Sequence, residues 1–365
     1  MTSADLSPGT HGMRTPPATP PPATARHGRP AAVHRTRGRR AAATLALLTT
    51  LCTALTFTAV AVPAVWLLLP LLLMAYGAGT LLVREAAVRV GAGWPSLVLL
   101  AVAYQLAVDG LGLQALTSPE LYDAADWGLR SLGVNWTYWE AQIGVHVVLS
   151  VLLPVMIADL LFPDLRNRPY LRGGGVVTAG ALTVLGVIGL RVFVSAAEDP
   201  GYLTPWGWTV AYVLAVAGLT WVALRVLPRR RRREVVRQDR RAPHPMVVGF
   251  VSLYLTMAFL TTLLPLGLGD ELMLVDAMSQ EFMLIAGAMT AIPFGWVAHR
   301  WRLSGNWTDT HRLWLVGGIL VSHTAFMMPG SLLSAAIGLI TICLELLALR
   351  ALARHLRKRT AAPVH

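Results

Sequence analysis

Runs of about twenty apolar residues, broken by short polar or basic segments, recur along the whole chain, and a helix needs roughly that length to cross hydrocarbon. Spans are predicted on that measure at 41–60, 63–83, 94–116, 142–162, 174–194, 206–227, 246–266, 281–298, 313–329 and 331–352. Pro63 marks the turn between the first two, and Pro329-Gly330 the tight break between the last two. The pattern is that of an all-α, polytopic transmembrane helix bundle of about ten spans. Spans 1–6 (41–227) are separated from spans 7–10 (246–352) by an Arg-rich linker, 228–245, and a basic tail follows at 353–365.

Composition agrees. The 365 residues are 55% hydrophobic and only 14% charged, more apolar length than one globular core could use. Residues 1–40, rich in Pro, Thr, Ala and Arg, lack the large apolar side chains that offset ordering entropy and are expected to form a disordered cytoplasmic tail. The stretch after Arg39-Arg40 admits a signal-peptide reading with Ala59 and Ala61 at the cleavage site. The long basic region before it favours an uncleaved first span. Cys52 and Cys343 both fall inside apolar runs, which supports neither a disulfide framework nor a thiolate metal site.

The net charge of +12 would suit nucleic acid if it were concentrated on a surface with stacking aromatics. It is instead sorted by topology. With the N-terminus inside, every basic residue except Arg130 and Arg191 falls on the cytoplasmic side, where basic loops are retained. Glu120, Asp123, Asp126, Glu140, Glu198, Asp199, Asp270, Glu271, Asp276 and Glu281 fall on the other. Both termini are therefore expected in the cytoplasm. Tryptophans mark both interfaces, Trp66, Trp127, Trp136, Trp139, Trp206 and Trp208 at one and Trp94, Trp296, Trp301, Trp307 and Trp314 at the other. The run Arg229 to Arg241 reads as an anchor lying on anionic lipid headgroups of the bilayer. It lacks interleaved aromatics, so nucleic acid is not the expected partner.

Candidate chemistry lies in the polar residues that the spans bury. Asp109 falls within the third span, one turn after Gln105, and Gln142 and His146 repeat that spacing on the fourth. At about 1.5 Å per residue, Asp109, His146, Arg191 and His323 all fall roughly 5–10 Å below the outer boundary, with Glu281 at the same surface. A carboxyl group in hydrocarbon is costly and normally faces a partner or water. One reading is a polar cavity open to the outside, in which Asp109 and His146 hold a substrate or exchange a proton while Gln105, Arg191, His323 and Glu281 line it or balance its charge. The other is a set of buried pairs that fix helix packing, with Arg191 reaching up to the headgroups.

Asp159 and Glu345, nearer the inner side, have Arg166 and Arg350 close in sequence, and pairing would account for them. Pro70, Pro154 and Pro293 are expected to kink their spans, and Gly180, Gly186 and Gly189 to allow close helix approach. The chain has no HExxH, no Walker loop, no dinucleotide fingerprint and no CxxC, so no metal and no cofactor is called for.

From Tyr76-Gly77 through Arg84-Glu85, Gly93-Trp94-Pro95, Ala103-Tyr104 and Asp109-Gly110, then His146, Pro154 and Leu161-Phe162-Pro163, the chain resembles a group of uncharacterised bacterial multi-pass membrane proteins. The likeness covers roughly 70–172. Where that group tends to carry Glu-Glu-Gly, this chain has Val108-Asp109-Gly110, one acid in place of two. The resemblance implies topology and a bacterial plasma membrane location, and it implies no activity; the preference for Arg over Lys fits a GC-rich genome. The sequence reading is thus a small-molecule or ion permease. The alternatives are a non-transporting assembly factor, sensor or scaffold, or an intramembrane hydrolase.

Overall fold

Among the described residues of the computed structural model, ten helices are long and apolar enough to cross a membrane: Thr36–Ala61, Pro63–Arg89, Trp94–Gly112, Trp136–Leu161, Gly173–Glu198, Trp206–Arg229, Pro245–Leu263, Gln280–Arg302, Asp309–Gly330 and Leu332–Arg359, here spans 1 to 10. The structure describes residues 29–121, 128–230, 239–268 and 279–361. Most of the N-terminal tail, Asp123, Asp126, Asp270, Glu271, Asp276 and residues 231–238 of the Arg-rich linker lie outside the described residues. The chain divides after Arg37, and, apart from where the first helix begins, everything below concerns the unit from Gly38 onward.

Each predicted span is present, and the departures are at ends. The first helix begins at Arg29, inside the stretch read as tail, because Ala and Arg are strong helix formers and carry the helix back from the apolar run. Span 4 starts at Trp136, ahead of the expected 142. Asn135 caps it by accepting the Tyr138 N–H at 2.8 Å, directly after a two-stranded hairpin that pairs Arg130 with Asn135. Span 3 ends at Gly112 rather than 116, since Gln114 adopts φ 58° and leaves the helix. The last helix runs on to Ala361, through most of the stretch read as basic tail.

The first six spans each contain a π-helical segment: Leu51–Thr58, Leu73–Gly77, Leu106–Gly112, Ile143–Leu152, Arg191–Ser195 and Val222–Val226. Among the described residues, spans 7 to 10 contain none. Such segments are rare and recur at functional sites. Pro70 and Pro154 each adjoin a change of helix type, whereas Pro293 lies inside an uninterrupted helix.

Spans 3, 4 and 9 are central, with 67%, 78% and 61% of their apolar windows buried, against 11% for spans 6 and 8. Two apolar clusters share spans 1 and 4. One adds spans 2, 3, 5 and 6, and the other spans 7 and 9. Gly186 packs on the Ala75 backbone and Gly189 on Leu71, which brings span 5 against span 2 as expected, while Gly180 faces open space. At one end the loops meet through Ser118 to Asp199, Gln114 to Thr204 and Trp208 to Leu132. At the other, Asn306 exchanges bonds with Ala242, and Arg359 donates to Leu160 O at 2.8 Å. This second end carries the arginine-rich loops.

Candidate functional site

Asp109 and His146 meet between spans 3 and 4, and both sit on π-helical turns. The imidazole Nδ1 lies 2.9 Å from each carboxylate oxygen. One ring proton satisfies only one of them, and Asp109 Oδ1 has no further partner among the described residues. Tyr76 lies against the imidazole with ring centroids 5.1 Å apart. One turn back, Gln105 donates from Nε2 to Trp139 O at 3.1 Å and so ties the same two helices. Its Oε1 is likewise without a partner among the described residues. The centre therefore has spare acceptor capacity in a place where unpaired polar atoms are costly.

The cavity expected here is closed. Asp109 is 0% exposed and His146 6%. Gly110 lets the Tyr212 ring of span 6 come down on the backbone beside Asp109, and Gly79 does the same for Tyr104, whose hydroxyl donates to Ala75 O at 2.6 Å. The Tyr104 and Tyr212 rings thus pack directly on the backbones of spans 2 and 3.

The other residues of the predicted set divide. Half-buried Arg191 opens the π-helical segment of span 5 and donates to Leu111 O at 3.4 Å, so it meets the backbone of the turn that carries Asp109 rather than its carboxylate. His323, fully buried beside Phe57, has Nδ1 2.8 Å from Ile319 O. Glu281 is exposed in the first turn of span 8 and lies outside the buried set, because its side chain faces away from the bundle there.

A polar column continues from the pair toward the arginine-rich end. Ser150, one turn beyond His146, receives the Thr53 hydroxyl at 2.9 Å, and its carbonyl receives Thr80 Oγ1 at 2.8 Å. One turn past Thr80 comes Arg84, 1% exposed, which donates to the carbonyls of Leu165 and Arg166 at 2.8 and 3.1 Å. Its Nη2 is 3.9 Å from Asp159, which also pairs with Arg166 at 3.3 Å as expected. Glu85 accepts the Tyr170 N–H at 2.6 Å and the Arg89 guanidinium at 3.2 Å. Burial pushes the Tyr170 hydroxyl up to about 12, although the Arg84 guanidinium over its ring pulls the other way.

Sequence reasoning missed the partners of four buried polar residues. Arg84 and Glu85 were placed just beyond the second span with no partner named, since their carbonyl and amide partners lie more than eighty positions away. Glu345 was given Arg350, but five residues turn a helix by about 140°, and Glu345 faces inward to accept Thr324 Oγ1 at 2.7 Å. Glu140 was counted only among the acids of the outer side, and it lies 9% exposed against Gly287 of span 8. A carboxyl flanked by long apolar runs was signal enough for Glu345.

Among the described residues no three His, Cys, Asp or Glu side chains gather as a metal site would. Comparison with protein families, curated proteins and solved structures finds no match to this chain.

Proposed function

We propose that this multi-pass membrane protein is a small-molecule or ion permease, whose Asp109–His146 pair takes up and releases a proton as access alternates between the two faces. One observation carries the reading: a carboxyl and an imidazole share a 2.9 Å contact on two π-helical turns at the centre of the bundle. A carboxyl–imidazole pair holding both its protons is neutral whether the second proton rests on oxygen or nitrogen. Losing one leaves a buried negative charge, a change large enough to bias helix packing. The column through Ser150, Thr53, Thr80 and Arg84 supports a route toward the arginine-rich end, and the enclosed pair fits a state open to neither side. The arginine bias supports placing that end in the cytoplasm of a bacterial plasma membrane.

A pH jump applied to proteoliposomes on a solid-supported membrane tests this without knowledge of the substrate. Wild-type protein should give a transient charge displacement that Asp109→Asn abolishes. Displacement equal to that of protein-free vesicles, or unchanged in the variant, overturns the reading. The full enclosure of Asp109 favours as a second reading a non-transporting sensor or scaffold, which would show no displacement and would tolerate Asp109→Asn.

A further inference from the structure

A cavity of ≈ 1270 Å³ lies between spans 7, 9 and 10, away from Asp109 and toward the arginine-rich end. It exceeds the roughly 300–1,000 Å³ of ordinary small-molecule pockets. Its floor is apolar, built on Leu253, Leu313, Leu349 and the glycines of spans 7 and 9. It opens sideways, since Phe250, Trp314 and Leu346, which line it, are 55%, 38% and 50% exposed on the bundle surface. From Thr308 at its mouth to Val321 it follows span 9 for about 20 Å at 1.5 Å per residue. That is about the depth of one bilayer leaflet with its headgroups.

The charges at the mouth are unbalanced. Asp309 is neutralised by Arg312 at 2.9 Å. Arg350 and Arg357 stand two turns apart on the face of span 10 that lines the groove, and among the described residues neither makes an ion pair. Two free guanidiniums at headgroup level above an apolar slot one leaflet deep match an amphiphile with an anionic head. Guanidinium suits phosphate oxygens in particular.

We propose that this groove holds one anionic glycerophospholipid drawn from the leaflet at the arginine-rich end, its acyl chains along Leu253, Leu313 and Leu349 and its phosphate between Arg350 and Arg357. The site is distinct from the Arg229 to Arg241 run and does not depend on the permease reading. Native mass spectrometry of the delipidated full chain, titrated with palmitoyl-oleoyl phosphatidylglycerol or phosphatidylcholine, tests it. Wild type should retain the anionic lipid with a preference of about tenfold or more, the scale set by two cations at a headgroup. Arg350→Gln with Arg357→Gln should remove that preference. Arg354→Gln with Lys358→Gln, exposed changes on the same helix outside the groove, should keep it. Val321→Trp, which fills the slot, should lower retention of both lipids. If that variant does not fold, the arginine pair decides alone. Equal retention of the two lipids by wild type, equal loss in the two charge variants, or a dimer mass in place of a lipid adduct overturns the proposal.

Discussion

The guanidinium of Arg84 lies 3.4 Å over the ring of Tyr170, so the end of span 2 and the loop after span 4 are clasped by a charge with 1% exposure. Arg84 also caps carbonyls of that loop and stands between Glu85 and Asp159. Its removal leaves Glu85 and Asp159 with only the less buried Arg89 and Arg166, and the loop carbonyls without their donor, a loss of about 1–3 kcal/mol. Arg84→Gln should markedly lower the unfolding temperature in detergent. Arg84→Lys should not restore it, because an ammonium cannot both stack and serve several carbonyls. An unfolding temperature unchanged by Arg84→Gln would show that the clasp is not holding the loop.

Asp109 and His146 should behave as one unit. In a double-mutant cycle of Asp109→Asn and His146→Gln, measured by unfolding in detergent, the pair should show a coupling of about 0.5–3 kcal/mol. Additive losses would mean that the 2.9 Å contact is not energetically shared.

Glycines should split by what surrounds them. A Cβ at Gly79 would overlap the end of the Tyr104 ring, which its bond to Ala75 O holds in place. Gly79→Ala should cost about 1–3 kcal/mol. Gly218 has nothing within contact range, so Gly218→Ala should be neutral or add up to about 1 kcal/mol from helix propensity. Thermal unfolding of the two variants side by side checks the contrast, and equal effects would refute it.

Tyr170 predicts a response to alkali. Its folded value of about 12 stands above the ordinary 10.0, so its contribution is complete below pH 10 and is lost as pH rises toward 12. Tyr170→Phe keeps the ring under Arg84 and cannot ionise. It should match wild type near pH 7.5 and lose less stability between pH 10 and 12, as read by unfolding temperature across pH. Parallel curves for the two proteins would remove Tyr170 as the cause.

The ten spans were legible because hydrocarbon demands an apolar run of fixed length, and each run is interrupted by Pro, Gly or Arg where the chain turns. The partnership of Asp109 and His146 was legible as well, from shared depth and matching i, i+4 patterns on neighbouring spans. Their enclosure was not, because it depends on Tyr104 and Tyr212 fitting over Gly79 and Gly110, contacts that no local pattern encodes. The same holds for Arg84 and Glu85, whose partners come from a loop far along the chain. Glu281 and Glu345 were each read from position along the chain alone. Depth put Glu281 level with the buried set in the cavity reading, although depth does not say which way a side chain faces, and an acid five residues from an arginine was assumed to reach it.

The six π-helical segments have a consequence for how the chain can change length. A turn closed by i→i+5 bonds carries one residue more than an α-turn. Taking one out lets the helix revert to ordinary winding, with the parts on either side keeping their bearings. In spans 7 to 10, whose described residues hold no such slack, the same deletion would swing all that follows by about 100° and carry lipid-facing side chains inward. The front of this protein can lose a residue per crossing and stay in phase, while the back has none to spare.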